Sequence, residues 1–162
     1  MKSLLSNQFQ RTPVGAAAKV AELQPRPLRV RDGYVQFNRA RTNGRLDPRM
    51  RVKIALTVAQ ATLCEYSLVQ YTLAARRLGL SNDEIIASRE SRAADSKTAA
   101  TLEFARDVIA CAGSESTSGL KHAGYDDREI VEIVANVGFN LVNCYGRLLE
   151  ETDLFAPSVK SA

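Results

Sequence analysis

The sequence predicts an all-α protein, a single-domain helical bundle of about six to seven helices. Two observations lead to this prediction. No segment alternates polar and apolar residues between turn signals, which is the pattern of a half-buried strand. Helix-start signals recur along the chain instead, and apolar residues follow them at helical spacing. With 162 residues, 45% of them hydrophobic, the chain is long enough to bury a core.

The first helices can be placed by their signals. Apolar residues at near-helical spacing predict a helix over residues 28–37. Asp47 and Pro48 then supply an N-cap and a first-turn proline for a long helix, whose apolar face is expected to continue through Cys64. The helical run that follows should stop at Gly79, because glycine readily adopts the left-handed conformation that ends helices.

Three further helices follow. Ser81 opens a capping box, and Asp95 is a plausible N-cap for a helix that should end at Gly113. From Asp126 the chain is apolar on more than one face over about seven turns. A helix of this kind must be buried on several sides, so it favours contact with other subunits as well as with its own chain.

A short internal repeat, which we call the echo, supports the helical prediction. Residues 79–86 and 124–131 share one order of residue types: Gly, apolar, cap, two polar residues, Glu, Ile, apolar. A DNA-binding helix-turn-helix would be the functional interpretation. Helix geometry alone explains both halves, however, since Gly takes a left-handed position and Glu completes a capping box. Nucleic acid is therefore not expected as a partner.

Composition bounds the organisation of the chain. Prolines interrupt residues 1–26, which predicts an irregular N-terminal arm before a helical domain at 27–155 and a C-terminal tail at 156–162. Basic residues concentrate in the first third and acidic residues in the remainder, so the favoured interpretation is a basic segment lying over its own acidic body or a neighbouring subunit. No apolar run approaches the roughly 20 residues that span a bilayer, and no secretory signal is evident. These features predict a cytoplasmic protein without membrane contact.

The segment Cys64-Glu65-Tyr66-Ser67 has the form of a redox dithiol motif in which a hydroxyl replaces the second sulfur. A Cys and a Ser at this spacing cannot form a disulfide. Tyr71 follows Ser67 by four residues, so a helix places the thiol and both hydroxyls on one face. With three scattered cysteines and a single histidine, we expect reduced thiols, no metal and no cofactor.

Four segments carry a family resemblance between about Asp47 and Asn143: residues 47–51, 64–66, 74–85 and 139–143. They read Asp-Pro-Arg-Met-Arg, Cys-Glu-Tyr, Ala-Ala-Arg-Arg-Leu-Gly-Leu-Ser with Glu-Ile, and Phe-Asn-Leu-Val-Asn. The chain resembles the carboxymuconolactone decarboxylase and alkyl hydroperoxidase D-like superfamily. The resemblance implies an all-helical protomer that forms trimers or hexamers, with a small-molecule pocket near a subunit interface.

The resemblance also implies that the redox relay of the family is incomplete in this chain. Its glutamate position falls on Val52, its second cysteine on Ser67 and its histidine on Tyr71, so that only Cys64 remains. Neither Val52 nor Tyr71 offers a base at neutral pH. Dithiol peroxidase activity of the family type is therefore expected to be lost.

Three functions stay open. The favoured one is binding or conversion of a small organic acid or lactone, in which Tyr71 donates a hydrogen bond and Glu65 or Glu132 takes a proton. The second is a one-cysteine hydroperoxide reductase, in which Cys144 is the only conceivable internal partner of the reacting thiol. The third is a non-catalytic oligomer that binds a ligand, in which the cysteines are small core residues. The catalytic candidates are Cys64, Ser67, Tyr71 and Glu65, and the expected pocket-lining residues are Val52, Tyr66, Asn140 and Asn143.

Overall fold

The computed structural model describes residues 29–111 and 116–150, and all regular secondary structure in these ranges is helical. Seven helices are found there: α1 (Arg29–Thr42), α2 (Pro48–Ala61), α3 (Glu65–Arg77), α4 (Asn82–Arg89), α5 (Ser96–Cys111), α6 (Ser118–His122) and α7 (Asp127–Glu150). The all-α prediction is confirmed. The predicted arm (1–26), the predicted tail (156–162) and the expected helix stop at Gly113 lie outside the described residues.

The chain divides into two compact units. The larger spans Arg41–Cys144 and contains the whole of α2 to α6. The smaller comprises residues 1–40 and 145–162, whose described parts, 29–40 and 145–150, are helical. The domain boundaries at 27 and 155 stay a prediction. In the described ranges, no helix combines the length and the apolar character needed to cross a membrane.

Helix α2 is buried on two sides in the larger unit, which explains its nearly continuous run of small and apolar residues. Ile54 and Val58 belong to a core cluster with residues of α5, α6 and α7, whereas Val52 and Leu56 belong to a second cluster with α3 and α4. Full burial of one such side chain contributes roughly 1.5–3 kcal/mol. The first cluster also contains Leu46, Leu102, Phe104, Ala105, Leu120, Tyr125, Ile130, Ile133 and Val137, and the second contains Ala75, Leu80 and Ile85.

Capping boxes begin α4 and α7, as the echo in the sequence predicts. At α4 the Glu84 backbone N–H donates to Ser81 Oγ at 3.1 Å, and the Ser81 N–H donates to Glu84 Oε2 at 2.9 Å. At α7 the Glu129 N–H donates to Asp126 Oδ1 at 2.8 Å, and the Asp126 N–H donates to Glu129 Oε2 at 2.9 Å. Each pair satisfies two of the backbone N–H groups that a helix start leaves without partners. Helix geometry therefore accounts for both halves of the echo.

The helix expected to run through Cys64 ends earlier, at Ala61, which corrects the prediction. Leu63 has a φ of 53°, in the left-handed region. The Leu63 N–H donates to the carbonyl of Gln60 at 3.1 Å, and the Cys64 N–H donates to that of Ala59 at 2.9 Å. This is the Schellman pattern, in which glycine usually occupies the left-handed position. Because leucine holds it here, no local signal in the sequence marks the break.

Basic residues before and within α2 contact acidic residues of the same chain. Arg49 Nη2 and Lys53 Nζ lie 3.2 and 3.3 Å from Glu84 Oε1, and Arg45 Nη1 lies 3.4 Å from Asp126 Oδ2. Exposed pairs of this kind contribute about 0–1 kcal/mol each. These contacts concern residues 45–53 alone, and the placement of the rest of the basic segment stays a prediction.

Candidate functional site

The early end of α2 determines where Cys64 stands. The chain turns at Leu63, and Cys64 becomes the N-cap residue of α3, which begins at Glu65. Placing an L-residue in the left-handed region costs roughly 1–2 kcal/mol. Such strain persists only where the surrounding structure imposes it, and it is common at functional sites. The strained residue of this turn directly precedes the cysteine of the motif.

Four side chains form a cluster at this turn, which we call the thiol cluster: Thr62, Cys64, Ser67 and Cys144. Ser67 is buried, with 4% of its surface exposed, and its Oγ lies 3.2 Å from Cys64 Sγ. The same Oγ lies 3.7 Å from Cys144 Sγ, which also lies 3.3 Å from Thr62 Oγ1. One hydroxyl therefore contacts both sulfurs. Thr62 at the end of α2 and Cys64 and Ser67 at the start of α3 thus come together with a residue of α7 that is distant in sequence.

The two cysteines of the cluster are free thiols of intermediate burial. Cys64 Sγ lies 3.9 Å from the backbone carbonyl oxygen of Cys144, so the side chain of one reaches the backbone of the other. Burial raises the pKa of the Cys144 thiol, and the neighbouring Cys64 raises it further, while contacts to Thr62 and Ser67 act in the opposite direction. At neutral pH Cys144 therefore holds its proton.

Tyr71, the third residue expected on this face of α3, contacts α7 at another point. The Asn143 side-chain amide donates to the Tyr71 hydroxyl at 3.1 Å. Tyr71 also packs against the core cluster that contains the buried Val52. The two positions where the resemblance expects a histidine and a glutamate thus lie in one apolar region. Asn140 is fully buried and donates to the carbonyl of Asn136 in its own helix at 2.7 Å.

The predicted proton acceptors are Glu65 and Glu132, and none of the described contacts joins either of them to the thiol cluster. Glu65 and Tyr66 are exposed in the first turn of α3. The two carboxylate oxygens of Glu132 accept the backbone N–H groups of Arg45 and Leu46 at 2.8 and 2.7 Å. A carboxylate bound in this way fixes the segment before α2, so a role as proton acceptor beside Tyr71 has no support from its contacts.

Sequence reasoning missed part of the site. The sequence indicates Cys144 only as a conceivable partner of Cys64, and it carries no signal for Thr62. The only sequence signal for Cys144 was its position on the long apolar helix, because a contact between residues 80 apart leaves no spacing pattern. Within residues 29–111 and 116–150, no group of three or more His, Cys, Asp or Glu residues could hold a metal ion.

A separate cavity of about 300 Å³ contains none of the predicted site residues. It lies at the start of α2 and α5, and both signs of charge occur along its walls. Its ionic residues are Arg45, Asp47, Arg49, Lys53, Asp95, Lys97 and Glu129. The thiol cluster is the stronger candidate, because nucleophilic and hydrogen-bonding groups converge there at short distances.

The helices and the thiol at the start of α3 define an all-helical protein with a cysteine-centred candidate site. The family model for the carboxymuconolactone decarboxylase family matches residues 29–110, about half of the chain, and the chain belongs to this family. The match covers Cys64, Ser67 and Tyr71 but not Cys144. The comparison with curated proteins gave no match.

A solved structure shares the fold. The crystal structure of an uncharacterized peroxidase-related protein from Silicibacter sp. TM1040 is similar, with a TM-score of 0.65 and 20% sequence identity. The similarity covers 75% of this chain and 69% of that protein. At this identity the likeness establishes the helical fold and no shared chemistry.

Proposed function

We propose that this protein is a thiol-dependent hydroperoxide reductase in which Cys64 is the reacting residue. The observation that carries the proposal is the position of its sulfur, half-buried at the start of α3 and 3.2 Å from the buried Ser67 hydroxyl. The thiolate is the form of cysteine that attacks an O–O bond, and the Ser67 oxygen accepts a hydrogen bond from the Cys64 thiol, so it is placed to pass the thiol proton to the leaving alkoxide.

In the proposed reaction the Cys64 sulfur attacks the outer oxygen of the hydroperoxide. The S–O bond forms as the O–O bond breaks, the sulfur is oxidised to a sulfenic acid, and the thiol proton leaves with the alcohol. A thiol reductant must then return Cys64 to its reduced form. The cytoplasm maintains such reductants, which is consistent with the predicted location. Membership of the family supports this class of function.

The test is hydroperoxide consumption by the purified protein with an excess of a small dithiol as reductant. We expect consumption above the protein-free rate and its loss in Cys64→Ser. The matched control is Cys111→Ser, which removes the cysteine at the end of α5 and should retain the activity. Equal consumption by the wild-type protein and Cys64→Ser would refute the proposal.

Conversion of a small organic acid or lactone is a second candidate, and one observation favours it. The Tyr71 hydroxyl accepts a hydrogen bond from Asn143, and an accepted hydrogen bond makes a phenol a stronger donor. Its proton acceptor is less well supported, since Glu65 is exposed and Glu132 binds backbone N–H groups. Turnover of a lactone carboxylate that falls in Tyr71→Phe would support this candidate. Unchanged turnover in that variant would remove it.

We also propose that the protein forms a homo-oligomer, a trimer or a hexamer as the resemblance implies. Apolar side chains on the surface of the larger unit support the proposal. On and before α3 they recur every three residues, and a second set lies on α7; exposed fractions are 46% or more for Leu63, Tyr66, Val69, Val131, Val134 and Val142. Burial of such residues between subunits would be favourable. Molar mass from light scattering tests this, and a monomer at micromolar concentration would contradict it.

A further inference from the structure

The thiol cluster contains a second sulfur that the proposed reaction does not use. Cys144 lies on α7, outside the part of the chain that the family model matches. Its sulfur shares the Ser67 hydroxyl with Cys64, at 3.7 Å and 3.2 Å respectively. The place where the motif lacks its second cysteine is therefore next to a cysteine from another helix.

We propose that Cys144 is the resolving cysteine of this protein and forms an interhelical disulfide with Cys64 after each encounter with a hydroperoxide. This inference rests on the proposed function, since it requires a sulfenic acid on Cys64. The redox-active pair is then Cys64 at the cap of α3 and Cys144 on α7, in place of two cysteines within one helix turn.

Formation of this disulfide requires no oxidant beyond the hydroperoxide. The Cys144 sulfur attacks the sulfur of the Cys64 sulfenic acid, so that an S–S bond forms and the S–O bond breaks. The Cys144 proton leaves with the hydroxide as water. An external dithiol then supplies two electrons and two protons, and both cysteines return to thiols.

The surroundings of Cys144 suit this order of events. The Cys144 thiol donates to Ser67 Oγ at 3.7 Å, and the Thr62 hydroxyl donates to the Cys144 sulfur at 3.3 Å, so the Ser67 oxygen is placed to take the thiol proton as the sulfur attacks. Cys64 Sγ also lies 3.9 Å from the Cys144 carbonyl oxygen, so the two residues are already neighbours in the reduced protein.

The experiment uses full-length protein carrying Cys111→Ala, so that two thiols remain. Fully reduced protein receives one equivalent of an alkyl hydroperoxide, and non-reducing peptide mapping by mass spectrometry follows. We expect a peptide pair joined through Cys64 and Cys144. In Cys144→Ala the product should instead be a Cys64 sulfenic acid that a 1,3-dicarbonyl reagent traps, and helical circular dichroism should verify that this variant is folded.

The outcomes separate the inference from the function on which it rests. A sulfenic acid that persists in the parent protein, with both cysteines unlinked, overturns the role of Cys144 and leaves the reductase proposal standing. Cys64 that stays a thiol overturns the reductase proposal. A disulfide only between two chains contradicts the inference as well. The parent protein alone decides between these results, so the test holds even if a variant fails to fold.

Discussion

Two regions of the larger unit connect α7 to the chain around α2, and they do so with opposite chemistry. Near the start of α7, Glu132 accepts two backbone N–H groups at 2.7 and 2.8 Å. Near residue 144, thiols and hydroxyls meet at 3.2 to 3.7 Å. The first region is ionic, short and geometrically complete. The second consists of thiols and hydroxyls, and its contacts to sulfur are long and weak.

The difference indicates that the Glu132 region stabilises the fold, whereas the thiol cluster supplies reactive groups. A carboxylate that satisfies two backbone donors stabilises the fold, because those donors would otherwise lose their partners on burial. Weak contacts among thiols contribute little to stability and leave the sulfurs able to react. We therefore expect substitutions near Glu132 to change the free energy of unfolding, and substitutions in the thiol cluster to change chemistry.

The largest stability effect is expected for Glu132→Ala. Two backbone N–H groups, those of Arg45 and the buried Leu46, lose their acceptor, at about 1–3 kcal/mol for each donor that water cannot reach. Urea denaturation measures the change. Glu103→Ala, which removes an exposed glutamate from α5, is the control and should change stability by about 0.5 kcal/mol or less. Equal effects of the two substitutions would contradict the role given to Glu132.

A smaller loss is expected for Gly44→Ala. A Cβ at Gly44 would lie 2.6 Å from Glu132 Cδ, so the carboxylate must move and its two hydrogen bonds must weaken. We expect a cost of about 1–2 kcal/mol. In a Glu132→Ala background the cost should largely disappear, because the side chain that the new Cβ meets is gone. Additive effects in this double-mutant cycle would separate Gly44 from the Glu132 contact.

The thiol cluster should respond differently to Ser67→Ala. The hydroxyl that contacts both sulfurs is lost, but no charged group is left without a partner, so we expect a change of about 1 kcal/mol or less in stability. Hydroperoxide consumption should fall by a larger factor than stability predicts. Activity and urea midpoint measured on the same preparation test this. A stability loss as large as that of Glu132→Ala would remove the contrast between the regions.

The smallest effect is expected at the capping box of α4 and depends on pH. The Ser81 N–H and the ammonium of Lys53 hold the pKa of Glu84 below its ordinary value of 4.5. A lowered folded-state pKa stabilises the protein above that ordinary value, and the stabilisation is lost as the pH falls through the folded pKa. Glu84→Gln should therefore reduce stability at neutral pH and converge with the wild-type protein in acid. A constant difference across the titration would contradict this cause.

Local signals in the sequence predicted much of the fold. Residues within four positions of one another carry the capping boxes at Ser81 and Asp126, and glycine takes the left-handed positions at Gly79 and Gly124, with φ of 77° and 85°. The end of α2 near Leu63 could not be predicted in this way, because leucine disfavours the φ of 53° that accompanies the two backbone hydrogen bonds of this turn.

The candidate site was predictable only in part for the same reason. Cys64 and Ser67 were identified because three residues separate them, and the structure brings them into contact. The approach of Cys144 depends on how α7 packs against α2 and α3, and the position of Glu132 depends on the same packing. Both contacts join residues more than 75 positions apart, so periodicity and local motifs contain no record of them.

The central claim, that Cys64 is the reacting thiol, is tested most directly by comparing cysteines within one molecule. Reduced wild-type protein is mixed with an alkyl hydroperoxide, remaining thiols are alkylated at successive times, and mass spectrometry follows Cys64 and Cys111 separately. We predict that Cys64 is oxidised much faster than Cys111. Loss of both thiols at the same rate as the cysteine of an unstructured peptide would contradict the account.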